Sequence, residues 1–378
     1  MTKNELTVNR RDGGCEPLLE TSAGEKVFRS GTDSVIVTLP KDRRIISNSW
    51  LNGGIRDDIN VLINQRIARH VGSEDEFKEG SVEGYLAHVV EQLGYSASNA
   101  AALLTAASME NVAFVTHSFR GLEVTAIATA GVEVNACSPA DPASYYQENG
   151  KWQSLGGTIN MILLIDANLP SYALTRAWMT ATEAKSAVLR QLMIPSRFSE
   201  ELATGTGTDM MAIVSNDSAY LQLTDAGPHS KLGELICKCI NQVLLKALDQ
   251  QSGISAVSQR DMLVRLDRFG IDEKYFWKVS TSLEGDNKKG PFYDNLRNIS
   301  HNPAMVALIS SILHLVDEVR WGLIPENSAK KVAFSQMGQL DNVLNLSVDI
   351  PYDYLLEPKE SIIDNWVRVT SWIVKRNV

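Results

Sequence analysis

The stretch "NVAFVTHSFRGLEVTAIATAG" (111–131) decides the fold. Its two halves, 111–119 and 122–131, are apolar and β-branched, and only Arg120 and Gly121 separate them. Strands joined by so short a turn pair antiparallel, because a parallel return needs a crossover of about a dozen residues or more. Outward from this hairpin, "GGTINMILLIDANL" (156–169) predicts a third long strand, apolar enough to be buried on both faces and therefore central. "DMMAIVS" (209–215) supplies another strand. Upstream, "KVFRSGTDSVIVTL" (26–39) and "RRIISNSWLNGG" (43–54) read as strands with short joints, suggesting a second hairpin.

Helical spacing of apolar residues predicts helices over "INVLINQRIARHV" (59–71), "SVEGYLAHVVEQLG" (81–94, ended by Gly94) and 96–108. Two more are predicted from Pro170 to Leu192 and over 229–248. Strands and helices come in blocks without strict β-α-β alternation. The fold class that follows is α+β, a layered domain with a mostly antiparallel sheet packed by helices. Beyond about residue 250 only helical patterns remain, at 258–270, 302–323 and 361–376. The expected organisation is a polar leader (1–24), a main domain (25–250) and a helical C-terminal region (251–378). Trp321 and Trp366 look exposed in that region, whose open roles are a contact between copies of the chain (a homo-oligomer), a cap over a cleft, or packing on the core.

Of 378 residues, 44% are apolar and 21% charged, which excludes a disordered chain. A net charge of −9 offers no basic field for nucleic acid. The longest apolar run, 304–316, falls short of the roughly 20 residues a membrane helix needs and contains His314. No apolar core of signal-peptide length occurs near the start, so a cytoplasmic location is expected. Cys15, Cys137, Cys237 and Cys239 have neither zinc nor redox spacing and are expected as reduced thiols.

Candidate chemistry lies at the strand joints. "LATGTGTDMMAIV" (202–214) sets Thr204, Thr206 and Thr208 around Gly205 and Gly207, with Asp209 at the strand entrance. It lacks the lysine of a phosphate loop and leads into a strand, not a helix. Two readings stay open: glycines that let backbone N–H groups approach a ligand, or a tight turn whose threonines satisfy their own backbone. Asp209 is then a working carboxylate or a turn acceptor. Thr158 and Asn160 alternate with Ile159 and share one face, which either meets neighbouring polar groups or lines a cleft.

In the 170–192 helix, Leu174, Trp178, Ala181, Val188 and Leu192 form one stripe, and Lys185 falls inside it. Lys185 therefore points inward, and either snorkels to water or acts in proton transfer or substrate pairing. Thr182 lies beside it, and Glu183 faces solvent. His117 ends a strand beside Ser118 and His229 precedes a helix, positions from which an imidazole reaches a cleft or merely caps a helix. His70, His88, His301 and His314 read as structural. No HExxH, GxSxG or CxxC pattern occurs, so neither zinc nor a serine triad is expected.

Together "SWLNGG", "SFRGLEVTAIATAGVEVNA", "GGTIN", "TATEAK", "ATGTGTD" and "HSKLGELI" resemble the adenosylcobinamide amidohydrolases of corrinoid salvage, over roughly Glu25 to Leu248. The resemblance implies hydrolysis of the amide joining aminopropanol to the corrin propionate arm, giving adenosylcobyric acid. It implies a small-molecule corrinoid as partner, with cobalt arriving in the substrate; the sequence itself demands no cofactor, and dependence on an added divalent metal stays open. Asp209 or His229 is then the expected base, and Lys185 or His229 the proton source, with Thr206 and Thr208 as hydroxyls. Substrate binding is expected from Asn52, Gly53, Gly54, Thr158, Asn160, Gly205 and Gly207. Two alternatives remain: a threonine nucleophile freed by cleavage before Thr158 or Thr206, and a carrier that binds corrinoid without altering it.

Overall fold

Short joints between apolar runs produce most of the strands in the computed structural model, which describes residues 16–67, 71–73, 76–143, 153–155 and 158–376. They are β1 (Leu19–Glu20), β2 (Lys26–Ser30), β3 (Ser34–Thr38), β4 (Arg43–Ser47), β5 (Gly54–Arg56), β6 (Val61–Arg66), β7 (Val71–Ser73) and β8 (Ala100–Thr105). There follow β9 (Ala113–Phe119), β10 (Leu122–Ala130), β11 (Ala136–Cys137), β12 (Gln153–Leu155), β13 (Ile159–Ile165), β14 (Gly205–Thr206) and β15 (Met210–Asn216). Helices α1 (Val82–Gln92), α2 (Ser171–Gln191) and α3 (Lys231–Ser252) complete this part of the chain. Cys15, His70 and the glycines at 156 and 157 lie outside the described residues, as do 1–15 of the expected leader; Leu19 and Glu20, within that leader, already pair with Val27 and Lys26.

The β9–β10 hairpin forms as its sequence predicts, with Arg120 at φ 48° and Gly121 at φ 83°, the left-handed pair that a two-residue turn between twisted strands requires. It lies at one edge of a six-stranded sheet ordered β5-β4-β15-β13-β10-β9, in which β13 is interior and wholly buried. A five-stranded sheet, β1-β2-β3-β6-β8, packs against it. Two short pairs, β11–β14 and β12–β7, are added. Among the described residues every strand pair is antiparallel except β13–β15 and β6–β8.

Side-chain alternation divides β13 between two cores. Ile159, Met161, Leu163 and Ile165 meet the apolar stripes of α2 and α3, which include Leu174, Val188, Ile236 and Val243. Ile162 and Leu164 turn the other way and join Val37, Leu62 and Leu103 between the sheets, with Val82, Leu86 and Val90 of α1 in the same cluster. The layered α+β class is thus the observed one.

Two sequence expectations are corrected. Within the run 59–71 lies strand β6, and 96–108 contains strand β8, where helices are expected. Val61, Leu62 and Ile63 are all buried, so β6 has no wet face to impose alternation, and its apolar spacing imitates a helix. In β8 the alanines carry helix propensity, but pairing with β6 overrides it.

The chain divides into two units between Ser255 and Ala256. The second contains α4 (Met262–Leu266), α5 (Glu273–Thr281), α6 (Lys289–Ser300), α7 (Pro303–Arg320), α8 (Glu326–Met337), α9 (Leu340–Leu344), α10 (Tyr352–Leu355) and α11 (Ile362–Lys375). Its own core centres on Phe276, Ile309, Met337 and Trp366, and within it Arg268 and Asp317 form a buried bidentate pair at 2.8 and 2.7 Å. Trp366, expected to be exposed, is fully buried, whereas Trp321 is exposed. No single helix among the described residues is long and apolar enough to cross a membrane; α6 and α7 would suffice only as a pair bent by 78°, and both contribute to this core.

Candidate active site

Strand direction brings the polar joints to one end of the six-stranded sheet. β13 and β15 run parallel, with Asn160 opposite Met210, so both enter the sheet there. β10 finishes at the same end, Ala130 opposite Ile159, and β4 finishes with Ser47 opposite Ala212. The segments 48–54, 131–137 and 204–209 therefore meet beside Thr158. Helix α2 returns along the sheet, and its inward stripe carries Lys185, which is only 8% exposed.

Lys185 neither snorkels nor stands alone: its Nζ is ion-paired with Oδ2 of Asp209. Asp209 continues the alternation of Met211 and Ile213, whose side chains face the helices. Its carboxylate is filled by donors. Oδ2 also accepts the Thr206 N–H at 3.1 Å, while Oδ1 accepts the Thr206 hydroxyl at 2.5 Å and the Ile159 N–H at 3.1 Å. Asp209 is accordingly a turn acceptor and an ion-pair partner together, and it ties Thr206 to Lys185.

Gly205 makes this closeness feasible. A Cβ there would stand 2.5 Å from Asp209 Oδ2 and 2.7 Å from Lys185 Nζ, so no larger residue fits without displacing the pair. Gly207, in contrast, is exposed with open space about it. The Thr158 hydroxyl donates to the Thr208 carbonyl, and Asn135 Nδ2 donates to the Thr208 hydroxyl at 3.3 Å. The strand pair β11–β14 sets Cys137 opposite Gly205. Burial, then the Asp209 and Asp141 carboxylates, push the Cys137 thiol above its usual range, with Lys185 pulling the other way. Cys137, Cys237 and Cys239 are all free thiols.

Other expected site residues lie elsewhere or serve the scaffold. Asn160 is 1% exposed and turned between the sheets, donating to Asn64 Oδ1 at 2.7 Å and to the Leu104 carbonyl at 3.1 Å, while Asn64 donates to Thr129. It meets neighbouring polar groups and lines no cleft. Asn52, at φ 54°, donates to the Ala97 and Ala100 carbonyls at 2.7 and 2.8 Å, and Gly53 and Gly54 complete the same turn. They shape the loop.

His229 is exposed and precedes α3, whose first residue, Lys231, lies 4.6 Å above the Phe119 ring at the β9–β10 turn. That turn lies at the opposite end of the sheet from Asp209, because Val124 pairs with Ile165. His117, opposite Val124, lies toward the same remote end. Neither imidazole joins the Lys185 cluster. Asn48, which no sequence motif singles out, belongs to the site: its amide donates to the Asp209 carbonyl at 3.0 Å and accepts from the Met211 N–H at 2.8 Å. An asparagine immediately after a strand is a backbone-bonding residue, and that was the available signal. Among the described residues, no group of three or more His, Cys, Asp or Glu is disposed to hold a metal ion.

Fold and site together define a layered α+β protein whose larger sheet ends in a buried ammonium–carboxylate–hydroxyl cluster, a set of groups suited to acyl chemistry. The chain belongs to the adenosylcobinamide amidohydrolase family, whose model matches residues 18–256. It is 34% identical over 189 residues to the uncharacterized protein MJ1613 of Methanocaldococcus jannaschii, covering 47% of this chain and 73% of that one. It is 30% identical over 189 residues to the adenosylcobinamide amidohydrolase of Methanosarcina mazei, covering 50% of this chain and 76% of that one. Two solved structures are distantly similar. The PH0078 protein of Pyrococcus horikoshii gives a TM-score of 0.33 at 12% identity, over 68% of this chain and 89% of its own. A Burkholderia beta-aminopeptidase gives 0.30 at 11%, over 63% and 86%. The family name supports an amidohydrolase acting on adenosylcobinamide.

Proposed function

We propose that this chain hydrolyses the aminopropanol amide of adenosylcobinamide to adenosylcobyric acid, a step of corrinoid salvage in the cytoplasm. The observation that carries the mechanism is the continuous contact from the Thr206 hydroxyl through Asp209 to Lys185. Thr206 Oγ1 attacks the amide carbon while its proton passes to Asp209 Oδ1, and the C–O bond forms. Collapse breaks the C–N bond, with the departing nitrogen taking a proton from Lys185, which Asp209 recharges across the ion pair. Water then cleaves the Thr206 ester, restoring the hydroxyl and leaving the carboxylic acid. The open space at Gly207 leaves loop backbone accessible to the carbonyl oxygen as charge develops on it. Cobalt belongs to the substrate throughout, and the chain supplies no cofactor.

Incubating the purified chain with adenosylcobinamide and measuring free aminopropanol tests the reading. Stoichiometric amine release supports it; tight corrinoid binding with no amine marks a carrier instead. Intact-mass measurement of active protein separates the plain threonine nucleophile, which leaves one chain, from a self-processing one, which leaves two fragments split before Thr158 or Thr206.

A further inference from the structure

Lys185 and Thr206 are each only 8% exposed, so a slender amide arm can approach them but a macrocycle cannot enter. The bulk of a corrinoid must then rest on whatever surrounds the 206–209 loop. Three large apolar side chains are exposed there: Trp50 at 43%, Val134 at 70% and Phe198 at 39%. Each sits within two residues of a group bonded to this loop or its strand partner. Trp50 follows Asn48, which holds the Asp209 carbonyl. Val134 precedes Asn135, which holds the Thr208 hydroxyl. Phe198 follows Arg197, whose N–H donates at 2.9 Å to the carbonyl of Ala136, the partner of Thr206. At about 3.8 Å per residue, two residues of chain cannot carry any of them more than about 8 Å from its anchor.

Single exposed hydrophobics are ordinary; three from separate segments anchored around one polar loop suit a binding surface. We propose that Trp50, Val134 and Phe198 form an apolar rim that receives the corrin macrocycle while its amide arm reaches Thr206 and Lys185. This rests on the amidohydrolase reading. The macrocycle's methyl-bearing carbon framework, between its polar amide arms, offers apolar surface to the indole and phenyl side chains, which bury large area at small entropic cost. The rim thus selects the macrocycle, and the cluster below it acts on the arm.

The test uses the full chain with Trp50→Ala and the double variant Trp50→Ala/Phe198→Ser, measuring KM and kcat for aminopropanol release. In parallel, titration calorimetry gives Kd for adenosylcobyric acid, which retains the macrocycle but lacks the scissile amide. The rim predicts KM and Kd raised at least tenfold in the double variant, kcat within about threefold, and recovery in Trp50→Phe. Unchanged KM and Kd in the double variant overturn it, whatever happens to kcat. If the wild-type chain releases no amine, the hydrolase reading falls, while the Kd comparison still decides whether the rim binds the macrocycle.

Discussion

At the residue scale, Asp209 is held by three donors besides Lys185, whereas Lys185 has Asp209 as its anionic partner. That asymmetry orders the cost of breaking the pair. Asp209→Asn strands a buried ammonium and is expected to cost about 3 kcal/mol, while Lys185→Met, leaving a carboxylate still bonded, costs about half as much. Urea unfolding of both variants checks the order; equal losses, or the reverse, contradict it. Gly205→Ala drives a methyl into both charged atoms, so turnover is expected to fall at least tenfold with about 1–3 kcal/mol of overpacking. Lys185 was legible in the sequence because a charge inside an apolar stripe has nowhere else to point. Its partner was not, since Asp209 lies on another element and only the register of β13 with β15 brings it under α2.

At the scale of elements, the two long hairpin strands and the central strand were readable because their turn chemistry is local: Arg120-Gly121 dictates its own geometry. Strands β6 and β8 were not, because all of β8 and all but the last residue of β6 are buried, so alternation vanishes. His229 failed for a different reason. Periodicity locates a helix but not its direction across the sheet, and α3 begins at the end away from Asp209. Asn160 shows the same limit for faces: alternation turns it away from Ile159 and Met161, and the face it takes looks between the sheets. Asn160→Ala leaves the Asn64 carbonyl oxygen without its donor in the buried layer, and is expected to destabilise by about 1–3 kcal/mol. Denaturant midpoint and specific activity of the folded fraction test this: a lost midpoint with retained activity is predicted, and lost activity at full stability would return Asn160 to the site.

On the scale of the whole molecule, among the described residues the two cores of the first unit draw on residues 19–254 and that of the second on residues 262–374. A chain ended after Ser255 is therefore expected to unfold cooperatively and to keep releasing aminopropanol; an aggregated or inactive product contradicts this. Alkaline behaviour is set partly by Cys239, whose thiol is pushed by burial from 9.0 up to about 12. A raised pKa means the stabilising difference is whole below the unfolded value and is lost as pH climbs through about 9 to 12. By pH 10.5 this one group removes about 2 kcal/mol. Urea titrations at pH 8 and 10.5 should show that loss in the wild-type chain and a smaller one in Cys239→Ala; identical losses would refute it.

The most direct measurement is aminopropanol release from adenosylcobinamide by the wild-type chain, Thr206→Val and Lys185→Met at equal concentrations of folded protein. The Thr206–Asp209–Lys185 account predicts steady release by wild type and a fall of about a hundredfold or more in each variant. Wild-type turnover in either variant would contradict it.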